Sequence, residues 1–273
     1  MWDARLQRRV QRYGWDRAAS YYERYWQEQL QTAQTKLLQL ADLHPGERVL
    51  DVSCGTGMVT FRAAEAVGPQ AKVLGTDLSQ TMIDTAREEA ARRGLSHVTF
   101  ERMDAEALDV ERGSFDVALN ALGLMFVPDV AKALREMHRA LRADGRAVAV
   151  VWGERSRCGW AGVFPIVDAR VESEVCPLFF QMGTRDTSLK RFESAGFTEV
   201  SLDRMSTVLR YDSAEAALGA VLQGGAMALA YSRFDEATRD AVHAEYLASI
   251  EPYRKGVAYE VPAEFVVTRG RKA

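Results

Sequence analysis

Short apolar runs alternate with helical patterns between residues 45 and 155, and this alternation limits the fold more than any other feature. Each run is apolar enough for a strand that is buried on both faces. The runs are RVLDVS, KVLGTD, VTFERM, FDVALNAL and GRAVAVVW. Helical stretches such as 79–93 and 129–142 separate them. Strands that alternate with helices form parallel sheets, so the sequence predicts an α/β layer fold with helices on the faces of the sheet.

The remaining segments predict helical additions to this sheet. Over residues 1–44, large apolar residues recur every three or four positions, which predicts an N-terminal helical cap. Residues 156–182 interrupt the rhythm with aromatic residues and predict a lid, and residues 213–250 predict a helical insert. We expect the cap and one sheet domain over 45–273. The other expected elements are a helix near 187–195 and strands near 197–211 and 257–269.

The charge balance and the cysteine count limit the partners and the compartment. The chain has 35 Lys and Arg against 38 Asp and Glu, a net charge of −3, which argues against a nucleic-acid binder. No apolar run approaches the roughly 18 residues of a membrane helix, and the basic N-terminus lacks the apolar segment of a secretory signal. The three cysteines are irregularly spaced. We therefore expect a cytoplasmic chain without disulfides, metal or stable membrane insertion.

The segment 49–57, VLDVSCGTG, carries an apolar strand into a glycine-containing turn and then a helix. Gly55 and Gly57 let the backbone approach a ligand, and the N-terminus of the next helix offers free N–H groups. Asp77 follows 20 residues after Gly57, at the end of the next predicted strand. A carboxylate there can hold two ribose hydroxyls. These features predict a nucleotide or nucleoside cofactor.

Two details separate the cofactors that such a turn can bind. A dinucleotide fingerprint needs a third glycine, and Thr60 stands at that position. Asp51, at the end of the first strand, would repel a pyrophosphate and attract a positively charged amino group. A nicotinamide-dependent oxidoreductase is therefore the weaker alternative.

With these residues the chain resembles the class I S-adenosylmethionine-dependent methyltransferases, in particular the branch of ubiquinone and menaquinone biosynthesis (methyltransferase type 11). Asp51, Gly55 and Gly57 match the family pattern D-x-G-x-G-x-G, whereas Ser53 replaces its first glycine. The resemblance implies a Rossmann-like, seven-stranded, mostly parallel sheet with one reversed strand at the edge. It also implies S-adenosyl-L-methionine as the cofactor and S-adenosyl-L-homocysteine as the product.

The resemblance also implies which residues contact the cofactor. Asp51 would approach its ammonium group, Asp77 its ribose and Asp104 its adenine amino group, while Asn120 would close the methionine end. These four residues follow predicted strands, at the edge where open α/β sheets bind ligands. The full set of implied cofactor residues is Tyr22, Asp51, Ser53, Gly55, Gly57, Asp77, Leu78, Asp104, Ala105 and Asn120.

Methyl transfer from a sulfonium is an in-line displacement, so the protein mainly positions the acceptor and excludes water. Aromatic residues of the lid and the insert predict a pocket for a small, largely apolar or aromatic metabolite. The candidates are Trp152, Trp160, Phe164, Phe179 and Tyr231. His243 is the candidate general base for an acceptor that must lose a proton. The small residues of 219–230 predict close helix contacts or a homodimer interface. A protein that binds the cofactor without turnover is a further alternative.

Overall fold

Five adjacent parallel strands form one side of the sheet in the computed structural model, which describes residues 4–171, 176 and 178–273. In chain order the strands are β1 (Val49–Val52), β2 (Val73–Asp77), β3 (Val98–Arg102), β4 (Phe115–Ala121), β5 (Leu141–Trp152), β6 (Thr198–Tyr211), β7 (Arg254–Lys255) and β8 (Ala258–Arg271). Their order across the sheet is β3-β2-β1-β4-β5-β8-β6, and the two-residue β7 pairs with β8. The strands predicted within residues 45–155 are confirmed.

The reversed strand is β8, which is antiparallel to β5 on one side and to β6 on the other. The resemblance implied a reversed strand at the edge, but β6 occupies the edge and β8 lies one place inside it. Tyr211 at the end of β6 pairs with Tyr259 at the start of β8. The insert between these strands therefore leaves and re-enters the sheet at the same end, so β8 must run in the opposite direction.

The described residues also form nine α-helices. These are α1 (Ala4–Ala41), α2 (Met58–Val67), α3 (Gln80–Arg93), α4 (Val130–Ala140), α5 (Val163–Asp168), α6 (Thr187–Ser194), α7 (Ala214–Leu222), α8 (Ala228–Tyr231) and α9 (Glu236–Ile250). Side chains cap the two helices that the sequence placed between strands: Ser79 accepts from the Met82 N–H, and Asp129 accepts from the Lys132 N–H. The region of the predicted insert, 213–250, contains α7, α8 and α9.

Helix α1 packs against the sheet and against the insert. Its residues Trp26, Leu30 and Leu37 are buried. The insert approaches α1 closely because its residues there are small: a Cβ on Gly219 would lie 2.2 Å from Cζ of Tyr25. The stretch 219–230 thus makes close helix contacts within the chain, which is one of its two predicted roles. The homodimer stays a prediction.

The lid region begins with short helical turns at Arg155–Arg157 and Gly159–Gly162, followed by α5. Residues 172–175 and 177 of the predicted lid lie outside the described residues, as do residues 1–3 of the predicted cap. In the part of the chain that the structure covers, no helix is long and apolar enough to cross a membrane. Within the same part, no group of three or more His, Cys, Asp or Glu side chains could hold a metal ion.

Candidate active site

The turn after β1 places its backbone against β2. Ser53, Gly55 and Gly57 have φ angles of 60°, 56° and 92°, a region that glycine enters without strain. A Cβ on Gly57 would come within 2.8 Å of Phe61 Cε2, so the packing behind the turn also requires glycine there. Ser53 adopts the left-handed conformation despite its side chain, at a cost of about 1–2 kcal/mol. This conformation explains why the family pattern has glycine at that position.

Asp77 is held at the end of β2 by the backbone of two turns. Its Oδ2 accepts a hydrogen bond from the Gly55 N–H at 2.9 Å, and its Oδ1 accepts one from the Ser79 N–H at 2.9 Å. Burial raises the pKa of this carboxyl, and the two N–H groups partly oppose that rise. Each carboxylate oxygen has a second lone pair, so Asp77 can still accept two hydroxyl groups from a ligand.

Asp51 lies beside it at the centre of the sheet and is completely buried. Its Oδ2 accepts a hydrogen bond from Thr60 Oγ1 at 2.6 Å, whereas its Oδ1 has no hydrogen-bond partner among the described residues. Burial, with a smaller contribution from Asp77, raises the pKa of Asp51 to about 7. A buried carboxylate oxygen without a partner is costly. The arrangement therefore suits a ligand that brings a hydrogen-bond donor or a positive charge.

A cleft that is partly open to solvent runs along this edge of the sheet. Seven of the ten predicted cofactor residues line it: Tyr22, Ser53, Gly55, Asp77, Leu78, Asp104 and Ala105. The other three, Asp51, Gly57 and Asn120, lie behind the lining. The structure thus brings most of the predicted cofactor residues to the surface of the cleft, and the other three lie beneath that surface.

Asn120 supports the cleft through a hydrogen-bonded clamp. Its Nδ2 donates to the Val52 carbonyl at 2.8 Å, and its Oδ1 accepts from the N–H groups of Gly123 and Leu124 at 3.1 and 2.9 Å. Leu122, inside the clamped turn, has a φ of 62° and lines the cleft. Asn120 therefore positions the turn after β4, and both lone pairs of its Oδ1 are used by the protein.

Helix α1 covers the cleft and is tied to it at two points. Arg8 Nε lies 3.0 Å from Oδ2 of Asp104, and the same guanidinium pairs with the buried carboxylate of Glu106. Further along, Asp16 Oδ1 accepts a hydrogen bond from Ser79 Oγ at 2.6 Å. The predicted adenine-binding acid, Asp104, is thus already paired with a residue from the N-terminal helix.

A second cavity adjoins this cleft and is lined mainly by aromatic and aliphatic side chains. Four of the five predicted acceptor residues line it: Trp152, Trp160, Phe164 and Phe179. The rings pack edge to face or tilted, with centroids 4.7 Å apart for Phe164 and Phe179 and 4.9 Å apart for Trp152 and Trp160. We call this space the aromatic cavity.

The cleft and the aromatic cavity have a common wall. Four residues line both: Trp15, Tyr22, Leu122 and Phe126. Trp15 contacts Tyr22 and Phe126 edge to face, with centroid distances of 5.6 and 5.0 Å. Burial, followed by the nearby Asp77 carboxylate, raises the pKa of the Tyr22 hydroxyl. A ligand in the cleft and a ligand in the aromatic cavity would therefore both contact this mostly apolar wall.

Comparison with known proteins identifies the family of this chain. Residues 43–154 match the family described as a methyltransferase domain. The chain is also 30% identical over 274 residues to the nocamycin O-methyltransferase of Saccharothrix syringae, a match that covers 94% of this chain and 98% of that protein. The chain belongs to the class I S-adenosylmethionine-dependent methyltransferases.

Two further proteins resemble this chain, one in sequence and one in fold. A demethylmenaquinone methyltransferase from Lactococcus lactis subsp. lactis (strain IL1403) is 39% identical over 105 residues, covering 38% of this methyltransferase and 42% of that enzyme. The fold matches a candidate methyltransferase from Bacillus halodurans C-125 with a TM-score of 0.61 at 20% identity, over 88% of this chain and 99% of that chain. Membership of the family makes S-adenosylmethionine the cofactor and decides against the nicotinamide alternative.

The residues of the cleft fit this cofactor on their own chemistry. Asp77 and Asp104 present carboxylates along the cleft, and the buried carboxyl of Asp51 lies behind its lining. The unpartnered Oδ1 of Asp51 and the free lone pairs of Asp77 are the groups that a cationic nucleoside would satisfy. The cleft therefore offers acceptor groups of the kind that a cationic nucleoside needs.

The structure does not bring Tyr231 and His243 to the aromatic cavity. Tyr231 Oη lies 2.9 Å from Nε2 of His243, and the two rings stack with centroids 5.7 Å apart. Both residues line a different depression, together with Tyr25 and Gln223, which shares no residue with the cofactor cleft or the aromatic cavity. Tyr231 lies on α8 and His243 on α9, and the pair faces α7. A different surface of the insert lines the aromatic cavity.

Several residues line the methyltransferase site although the sequence did not lead us to expect them there. Arg8, Gln11 and Trp15 reach the cleft from α1, and Phe126 reaches it from a short helical turn after β4. Trp15 shared a helix face with Tyr22 in the sequence pattern, which was the available signal. The other three had none, because their contribution depends on where α1 lies over the sheet.

Proposed function

We propose that this methyltransferase transfers the methyl group of S-adenosylmethionine to a small, largely apolar or aromatic metabolite held in the aromatic cavity. The observation that carries the proposal is the common wall formed by Trp15, Tyr22, Leu122 and Phe126. An in-line displacement needs donor and acceptor in contact and in a defined orientation, and adjoining cavities provide this. Its relatives named for nocamycin and demethylmenaquinone support an organic metabolite as the acceptor.

We assign the cofactor contacts from polar groups that line the cleft or lie behind its lining and still have hydrogen-bonding capacity. Asp51 would receive the ammonium group through its unpartnered Oδ1, and Asp77 would accept the ribose hydroxyls. Asp104 would accept the adenine amino group beside its ion pair with Arg8. Leu78 and Ala105 line the same part of the cleft and would contact the adenine. When bound, the cofactor supplies the activated methyl group.

The aromatic cavity acts by positioning the acceptor and excluding water. Among its described lining residues, Tyr22 is the one whose side chain titrates, and its raised pKa keeps the hydroxyl protonated at neutral pH. A protonated phenol cannot serve as a general base. The Nε1–H of Trp160 is buried and has no acceptor in the described part of the chain, so it is available to an oxygen of the substrate.

The experiment that tests this function combines binding and turnover. Calorimetric titration with S-adenosylmethionine, S-adenosylhomocysteine and NAD should show binding of the first two alone. Incubation with S-adenosylmethionine and a panel of apolar, aromatic and charged acceptors should release S-adenosylhomocysteine with the first two classes. Binding without release of S-adenosylhomocysteine across the panel would favour the non-catalytic alternative.

A pair of variants separates the cavity from the rest of the insert. Phe164→Ala should raise KM for an apolar acceptor and leave cofactor affinity unchanged, because Phe164 lines the aromatic cavity and not the cleft. Tyr231→Phe is the matched control, since Tyr231 lies outside both spaces. Equal effects of the two substitutions would contradict the assignment of the cavity. The homodimer and the cytoplasmic location stay predictions.

A further inference from the structure

The N-terminal part of α1 concentrates positive charge in a chain that is negative as a whole. Between residues 4 and 22 there is a single acid, Asp16, whose carboxylate is engaged by Ser79. Five arginines occupy the same stretch: Arg5, Arg8, Arg9, Arg12 and Arg17. Arg8 turns inward to Asp104 and Glu106, so it belongs to the cofactor cleft. The other four arginines line neither the cofactor cleft nor the aromatic cavity.

The side of α1 that faces solvent combines arginines with aromatic and aliphatic side chains. Positions 5, 9, 13, 17 and 21 follow at four-residue steps, each turned by about 40° from the last, so they cover about 160° of the helix surface, centred on position 13. Arg5, Arg9 and Arg17 are exposed. Tyr13 is 49% exposed, Tyr21 39% and Leu6 37%. We call this set, Arg5, Leu6, Arg9, Tyr13, Arg17 and Tyr21, the outer face of α1.

The outer face holds most of the large apolar side chains that the described surface exposes. Five such residues are strongly exposed in the described part, and three of them, Leu6, Tyr13 and Tyr21, lie on this face. The other two, Val208 and Val257, belong to β6 and to the turn before β8. A surface that combines exposed apolar groups with arginines suits a ligand that offers both negative charge and an apolar layer.

We propose that the outer face of α1 docks this enzyme on an anionic lipid surface. Arginines attract the head groups, and tyrosine and leucine enter the boundary between head groups and acyl chains. Tyrosine is enriched at that depth because its ring is apolar and its hydroxyl is polar. A nucleic acid would also attract the arginines, but it offers no apolar layer to Leu6, Tyr13 and Tyr21. The charge and the apolar groups together favour lipid.

Docking in this way places the site at the membrane without inserting the protein. The opposite side of the same helix lines the cleft with Arg8 and Gln11 and the common wall with Trp15 and Tyr22. One helix therefore separates the lipid surface from the aromatic cavity. An apolar acceptor dissolved in the bilayer would meet the enzyme at the element that covers its site. The docking itself does not depend on the proposed acceptor.

Vesicle binding tests the proposal directly. Sucrose-loaded vesicles of phosphatidylcholine alone, and of phosphatidylcholine mixed with phosphatidylglycerol, are sedimented with the purified full chain. We expect binding to the anionic vesicles, little binding to the neutral ones, and loss of binding at high salt. Reversal of three arginine charges in R5E/R9E/R17E should lower the partition coefficient about a hundredfold. The matched control K72E/R112E/R135E reverses three exposed cations outside α1 and should bind anionic vesicles far more tightly than R5E/R9E/R17E.

Two further measurements distinguish lipid docking from nucleic-acid binding and from damage to the fold. Tyr13→Ser with Tyr21→Ser keeps every arginine, and it should weaken vesicle binding several-fold while leaving binding to a single-stranded oligonucleotide unchanged. Cofactor affinity, measured by calorimetry, should be the same in R5E/R9E/R17E as in the wild type, which shows that the fold and the cleft are intact. No binding of wild type to anionic vesicles, equal losses in both charge variants, or tighter binding to the oligonucleotide than to vesicles would each overturn the proposal.

Discussion

The ionisation of Asp51 should couple cofactor binding to pH. Its carboxyl is completely buried, and burial raises its pKa to about 7. Near neutral pH, part of the protein without cofactor therefore carries a protonated, neutral Asp51. The ammonium group of S-adenosylmethionine favours the ionised form, because an opposite charge stabilises a carboxylate. Binding should expel a proton, and affinity should rise as the pH rises towards 7.

The size of the effect follows from the fraction of ionised carboxyl. With a pKa of about 7, Asp51 is about 3% ionised at about pH 5.5 and about half ionised at about pH 7. If the ionised form alone binds, the apparent affinity is scaled by this fraction. The dissociation constant should therefore fall about fifteenfold across this range, which is about 1.6 kcal/mol. The range stays below the pKa of about 8 expected for the amino group of the cofactor.

Calorimetric titration across this pH range, in buffers of different ionisation enthalpy, measures both the affinity and the proton release. Asp51→Asn removes the titrating group, so its weaker binding should be independent of pH. Thr60→Val removes the hydroxyl that stabilises the carboxylate, and it should move the dependence to higher pH. The exposed Asp109→Asn serves as the matched control and should behave as the wild type. A wild-type affinity that does not change between these pH values would refute the reasoning.

The same shift has a consequence for the protein without cofactor. An unfolded Asp51 has a pKa near its ordinary value of 3.8, while the folded one has a pKa of about 7. Between these values the folded state binds more protons than the unfolded state, so the free energy of unfolding falls as the pH rises. The contribution is fully present below about pH 3.8 and is lost through about pH 7. Asp51→Asn should remove this dependence in urea denaturation.

Three other substitutions test separate parts of the structure. Asp77→Ala should cost about 1.5–3 kcal/mol of cofactor affinity by calorimetry, and unchanged affinity in a folded variant would contradict the ribose contact. Trp160→Phe keeps an aromatic side chain but removes the Nε1–H, so KM for an oxygen-bearing acceptor should rise about two- to tenfold with cofactor affinity unchanged. Tyr246→Phe removes a buried hydroxyl that has no hydrogen-bond partner among the described residues, and it should stabilise the protein by about 1 kcal/mol in denaturant unfolding. A clear loss of stability would show that this hydroxyl has a partner.

Much of the fold could be predicted because its signals are local. The apolar run before Asp51 and the run ending at Asp77 form adjacent parallel strands whose carboxyl ends share an edge. Serine at 79 and aspartate at 129 cap the helices that follow. The place of β8 inside the edge strand could not be predicted from periodicity, because pairing partners of a strand depend on elements far away in the chain.

The sequence by itself determined the parallel sheet, the glycine turn and the acids at the strand ends, since each follows from the order of a few neighbouring residues. The tertiary structure alone decided what those residues face. It placed Asn120 in a backbone clamp, moved His243 and Tyr231 away from the aromatic cavity, and brought Trp15 to the common wall. The physical reason is packing: helix α1 and the insert bury whichever faces fit each other, and that choice is made between segments about two hundred residues apart.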